Sequence, residues 1–182
     1  MSIQHALRLG TLIAALAAAL PAQAASARAA GELPPATRTW TRDTGVGGDV
    51  TVSLHARQPL AQPADILAAP GEKRLRVVLQ QRLSADQIGR LLLRGAEKHS
   101  PRGEFAAHAE HVLQIGQAFA GRRELGAGHS FGIEFLPGSG TRLLIDDLPA
   151  SDFVAEPSFF ALLLRPWLAA AGSAETARVA QR

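Results

Sequence analysis

The chain has 182 residues, 47% hydrophobic and 19% charged, a make-up that suits one globular domain. It has no cysteine and no tyrosine, which excludes disulfides, thiolate zinc sites, cysteine nucleophiles and any phenol acting as acid or base. Two lysines, seventeen arginines and sixteen acids leave a formal charge of +3. With so little to titrate between histidine and arginine, the isoelectric point is high for a trivial reason. The arginines are scattered rather than gathered beside aromatics, so no nucleic-acid partner is expected.

Residues 1–24 begin with Arg8, continue through the apolar run Thr11–Leu20 and end in Pro21-Ala22-Gln23-Ala24. This is the layout of a secretory signal peptide with cleavage after Ala24. The run is about half the ~20 residues that a spanning helix needs. Arg165 and Pro166 interrupt the later apolar stretch, so no stable membrane span is expected after cleavage. The mature chain, at +2, is expected to be exported, most simply to a periplasm. Residues 25–35 predict a flexible leader and residues 36–182 the folded domain.

Thr37–Arg42, around Trp40, predicts an edge strand, and Gly45-Val46-Gly47-Gly48 a turn. Val50, Val52 and Leu54 alternate with Thr51, Ser53 and His55, a strand with one buried face. After Pro59, Pro63 and the Pro70-Gly71 turn, Leu75, Val77 and Leu79 mark a second such strand. Ser84 with Gln87 forms a capping-box pattern ahead of a helix whose stripe is Ile88, Leu91, Leu92 and Ala96. Pro101-Arg102-Gly103 separates it from another helix with the stripe Phe105, Ala109, Val112, Gly116 and Phe119. His129–Leu136 and Thr141–Asp146 form a hairpin about Pro137–Gly140, and Pro157–Ala170 a final apolar helix followed by an amphipathic tail. Grouped strands with helices to one side, and no βαβ alternation, give an α+β domain with an antiparallel sheet.

His108 and His111, three apart on a predicted helix with Glu104 and Glu110 near them, have a spacing that a metal could use. They flank the apolar stripe, so a solvated helix face is the expected reading, and no metal is assigned. His99 with Glu97 is weaker. Asp146-Asp147 reads as a turn rather than a carboxylate pair. Ser130 and Ser139 lack the nucleophile-elbow context, and Gly138-Ser139-Gly140 is a hairpin turn rather than a phosphate loop. The apolar side chains from Phe153 to Leu168 exceed what one helix face needs. They read as core first and as the wall of a ligand cavity second.

Three stretches resemble the bacterial chalcone isomerase-like family. They are Ala68–Arg76 with Leu83–Gln87, then Phe135–Thr141, then Phe159–Leu168, and together they lie within residues 40–180. The resemblance implies an open-faced antiparallel sheet with helices packed on one side. True chalcone isomerases cyclise a chalcone phenolate onto its enone using an arginine and hydrogen-bonding Thr, Tyr and Asn side chains. Here tyrosine is missing and Gly48 or Asp49 stands where that arginine is expected. Thr51 matches the active-site threonine, and Arg57 or Arg76 is left to supply a cation.

The expected function is therefore an exported, non-catalytic chalcone isomerase-like protein that binds a small apolar or acyl ligand such as a fatty acid. Thr51, Arg57 and Arg76 would be the polar anchors of a cleft between sheet and helices, with no cofactor. The alternatives are an isomerase or intramolecular lyase of chalcone type with a rearranged site, and a periplasmic interaction or scaffold protein. No catalytic residue is assigned.

Overall fold

Alternation of apolar and polar residues builds an antiparallel sheet in the computed structural model, which describes residues 35–45 and 48–180, the last nine as backbone alone. The expected signal peptide, and the leader apart from Pro35, lie outside the described residues. So do Val46 and Gly47 of the glycine turn. The strands are β1 (Ala36–Asp43), β2 (Asp49–Ala56), β3 (Lys73–Leu79), β4 (Leu83–Ser84), β5 (Glu124–Leu125), β6 (Ser130–Leu136), β7 (Gly140–Ile145) and β8 (Leu148–Pro149). Six of them form one sheet in the order β1-β2-β3-β6-β7-β8, every pair antiparallel, while β4 and β5 make a separate short ladder. The helices are α1 (Ala85–His99), α2 (Glu104–Ala107), α3 (Ala109–Ala120) and α4 (Pro157–Ala180), with a 3-10 turn at Pro63–Leu67. This is the α+β architecture that the element order predicted.

The register sorts side chains into two faces. Trp40, Val52, Val77, Phe131 and Ile145 form one cross-strand row, and Leu54, Leu75, Ile133 and Leu143 form the next. All nine are buried. The helices cover this face: Phe119 of α3 and Trp167 of α4 meet Phe131 edge-on, at 6.3 and 5.8 Å between ring centroids. Fully burying one such side chain stabilises the fold by roughly 1.5–3 kcal/mol, so these rows contribute strongly to the cohesion between the layers.

Local chemistry fixes the ends of the elements. Ser84 Oγ accepts from Gln87 N at 3.1 Å, and Gln87 Oε1 accepts from Ser84 N at 2.8 Å, closing the capping box of α1. The buried residues of α1 are the four in its predicted stripe. Asp146 and Asp147 have φ of 52° and 63° and join β7 to β8 as a two-residue turn, the pair of left-handed positions that a type I′ hairpin demands.

Two expectations need correction. The second helix is not continuous: His108, at φ −107° and ψ 18°, separates α2 from α3. That break resets the helical phase, so the buried residues of α3 are Val112, Ile115 and Phe119. Ala109 and Gly116, expected inside, are exposed. The final helix also runs beyond Ala170 to Ala180, with Pro166 inside it. Pro166 donates no N–H to the helix, but its own carbonyl accepts from Arg42 Nη1 at 3.1 Å. No described helix is long and apolar enough to cross a membrane.

Candidate ligand-binding site

The same register that buries Val50, Val52 and Leu54 turns Thr51 to the opposite side of the sheet. This outer face carries Thr41, Thr51, Val78 and Ser130 in one row. The next row has Thr39, Ser53, Arg76, Gly132 and Leu144, and a third has His55, Arg74, Glu134 and Arg142. Its charges answer one another. Glu134, 1% exposed, is clamped between Arg74 and Arg142, the latter donating Nε–H at 2.6 Å. Arg76 donates Nε–H to both Asp147 carboxylate oxygens at 3.2 Å, and Gln80 donates to Thr51 Oγ1 at 2.8 Å.

Thr51 and Arg76 thus share a face, but not the one that the helices cover. They do not line the cleft between sheet and helices for which the sequence suggested them. The physical reason is the period-2 pleat: a residue between two core-facing neighbours on a strand points away from the core. Arg57 is elsewhere again. It is exposed just past the end of β2, its Cδ 3.6 Å from the position a β-carbon on Gly71 would take. Thr51 is about 17 Å along the strand from that end, at ~3.3 Å per residue.

Polar chemistry on the helix-covered face comes from residues the motif reading passed over. The last row on that face is Ala56, Lys73, Phe135 and Thr141, with Val154 bridged beyond it. Lys73 is 6% exposed. Its ammonium lies over the rings of Phe135 and Phe160 at 5.1 and 5.4 Å and donates to Leu67 O at 3.0 Å, at the close of the 3-10 turn. Among the described residues no carboxylate reaches it, and burial pushes its pKa below the ordinary lysine value. Thr141 Oγ1, in the same row, is buried without a partner. The rim beside Lys73 is apolar and partly exposed: Leu67, Ala69 and Phe135.

A second cation stands at the opposite end of the covered face. The Arg42 guanidinium sits 5.0 Å from the centroid of Trp167, and burial pulls its pKa down against the opposing charge of Asp43. The indole N–H groups of Trp40 and Trp167 are buried and unpartnered. Strand parity was the signal that could have found Lys73, because it is in phase with Leu75, Val77 and Leu79.

The histidine pair is not the solvated surface that the sequence suggested. His108 is 6% exposed, with Nε2 3.0 Å from Ser158 Oγ. His111 Nε2 is 3.4 Å from Glu156 Oε2, and Phe159 packs against both rings. Glu104, placed near His108 by sequence, pairs instead with Arg165 at 2.5 Å. Among the described residues no group of three metal-ligating side chains exists.

The excess apolar residues of the last helix are mostly core: Phe159, Phe160, Leu162, Leu163, Leu164 and Trp167 are all buried. Two open surface clefts are lined by described residues. One of about 510 Å³ separates α3 at Gln114 and Gln117 from Pro149–Asp152. The other, of about 370 Å³, runs between α1 and α3 past Gly89, Leu93, Gly116 and Phe119.

The sequence profile of the chalcone isomerase-like family matches residues 50–176. The chain belongs to that family. Among solved structures, this chalcone isomerase-like fold is similar to the crystal structure of a fatty-acid binding protein of Arabidopsis thaliana. The TM-score is 0.50 over 66% of this chain and 68% of that one, at 11% sequence identity. Comparison with curated protein sequences gives no match.

Proposed function

We propose that this chalcone isomerase-like protein is a carrier or sensor of an apolar carboxylate such as a fatty acid, non-catalytic toward chalcones. The observation that carries this reading is Lys73: an ammonium buried among phenyl rings on the helix-covered face, with one backbone acceptor and, among the described residues, no anionic partner. A buried charge without a counter-ion is costly, and a ligand carboxylate would supply the missing acceptor through a charge-assisted bond. The apolar rim of Leu67 and Phe135 would receive the start of the acyl chain. Arg57, exposed at the same end, would be the second cation at the mouth. The fold neighbour's identity as a fatty-acid binding protein supports the choice of ligand class, and the missing tyrosine argues against chalcone cyclisation. Thr51 and Arg76 belong to the outer face in this reading and take no part.

We also propose that the protein is exported to a periplasm and cleaved after Ala24, on the strength of the basic, apolar and small-residue order of residues 1–24. Native mass spectrometry of the mature protein from its own periplasmic extract tests both statements. A chain starting at Ala25 with an added mass equal to an acyl carboxylate is the expected result. Absence of the protein from that extract overturns export, an intact N-terminus overturns cleavage after Ala24, and a clean mass unchanged by added palmitate overturns the carrier.

A further inference from the structure

Ser158 is an exposed residue at the second position of α4, and behind it stands a buried imidazole. His108 Nε2 lies 3.0 Å from Ser158 Oγ, within the reach a general base needs toward a hydroxyl nucleophile. The base is held from three sides. Its ring packs on Phe159 at 5.6 Å and on His111 at 6.0 Å between centroids. Its backbone is fixed at the α2–α3 junction, where its N–H donates to Phe105 O and its carbonyl accepts from Val112 N. His111 is engaged with Glu156 and so does not compete for the hydroxyl. Nothing in the carrier reading uses this pair, which neither contacts Lys73 nor needs a bound acid.

We propose that Ser158 and His108 are a nucleophile–base pair that accepts an acyl group from an ester of an apolar acid. Ser158 Oγ attacks the ester carbonyl carbon while its proton passes to His108 Nε2. The tetrahedral intermediate then expels the alkoxide, which takes that proton and leaves as the alcohol. The acyl group remains as an ester on Ser158. Water, deprotonated by the same nitrogen, then releases the carboxylate and regenerates the hydroxyl. Ser158 stands in the first turn of α4, where the helix dipole favours developing negative charge. No oxidant, metal or further reactant enters the balance.

The test exploits the absence of cysteine from the chain. The full-length fold carrying Ser158→Cys holds a single thiol, and its alkylation by iodoacetamide at pH 7 reports activation by His108. The expected rate is at least tenfold above that of Ser139→Cys, an exposed hairpin position, and falls to the Ser139→Cys level when His108→Gln is added. In the unaltered protein, a fluorophosphonate probe should form an adduct on Ser158 that Ser158→Ala abolishes. Equal alkylation rates at the two positions overturn the proposal, as does labelling of the unaltered protein at any site other than Ser158. Because Ser158 is exposed, both of its variants should fold, so a His108 variant that unfolds does not obscure the outcome. Palmitate binding is not measured in either arm, so failure here leaves the carrier reading standing and the reverse also holds.

Discussion

Gly95 of α1 faces Pro166 of α4 across a gap that admits no side chain: a β-carbon on Gly95 would lie 2.9 Å from Pro166 Cβ. The ring of Pro166 cannot swing aside as a flexible side chain would. Two positions seventy-one residues apart in sequence are therefore matched at one point, a helical glycine to a helical proline. In an open helix Gly→Ala would gain about 1 kcal/mol from helix propensity. Here overpacking, typically 1–3 kcal/mol, opposes that gain and exceeds it. Gly95→Ala is expected to lower the midpoint of urea unfolding, and a raised midpoint would show that α1 and α4 can separate freely.

Glu134 is the hinge of the outer-face charge network, buried between Arg74 and Arg142. Removing it leaves two guanidinium groups buried side by side, Arg142 without its carboxylate and Arg74 with only Asp147 at 3.8 Å, a loss of roughly 3–5 kcal/mol. Glu134→Ala should therefore unfold at a much lower urea concentration than the parent. Replacing all three residues by apolar ones of similar size should recover most of the stability. A triple variant as weak as Glu134→Ala would show that the network contributes more than the relief of its own desolvation.

Lys73→Met keeps the length and apolar stem of the side chain and removes only the charge. Losing one charge-assisted bond, about 1.5–3 kcal/mol, should weaken palmitate binding by roughly 10- to 100-fold, with little change in thermal midpoint. Thr51→Ala and Arg76→Ala should leave the affinity unaltered, since both side chains lie beyond the sheet from Lys73. Fluorescent fatty-acid titration reads all three. Weakened binding in the Thr51 variant would return the site to the outer face.

Asp146 has a pKa below the ordinary carboxylate value. Burial acts against this, but the Ser130 N–H at 3.0 Å and the His129 ring at 2.9 Å prevail, helped by the charges of His129 and Arg122. A folded-state pKa lowered in this way stabilises the protein above the unfolded carboxyl's pKa, near 4, and the benefit disappears as pH falls through the folded value. Asp146→Asn, which also tolerates the left-handed backbone, should be less stable than the parent at pH 6. The difference should close by pH 2–3. A difference constant across that range in urea titrations would mean that the turn geometry, not the charge, is what Asp146 provides.

The outcome for Thr51 and Lys73 shows where sequence reasoning stopped. Strand parity was legible, and it already put Thr51 opposite Val50 and Val52. The family likeness drew attention to Thr51 as a type of residue, while the pleat decided which way it pointed. The break at His108 was not legible, because Ala106 to Ala109 have no helix-stopping residue. The phase shift that buried Ile115 in place of Gly116 followed from it. Nor could spacing have paired His108 with Ser158, fifty residues away.

Periodicity and turn chemistry in the sequence by themselves determined the five longer strands, the capping box of α1, the Asp146-Asp147 turn and the α+β class, but not the two-residue strands β4, β5 and β8. These depend on contacts between near neighbours, where residue type and spacing suffice. Only the tertiary structure decided which charges meet. It brought Glu134 between two arginines, left Lys73 with phenyl rings and a carbonyl instead of an acid, and closed α4 over one face of the sheet. A counter-ion is chosen by registry between strands and helices that lie far apart in the chain, and one residue of slip would send every side chain to the other face.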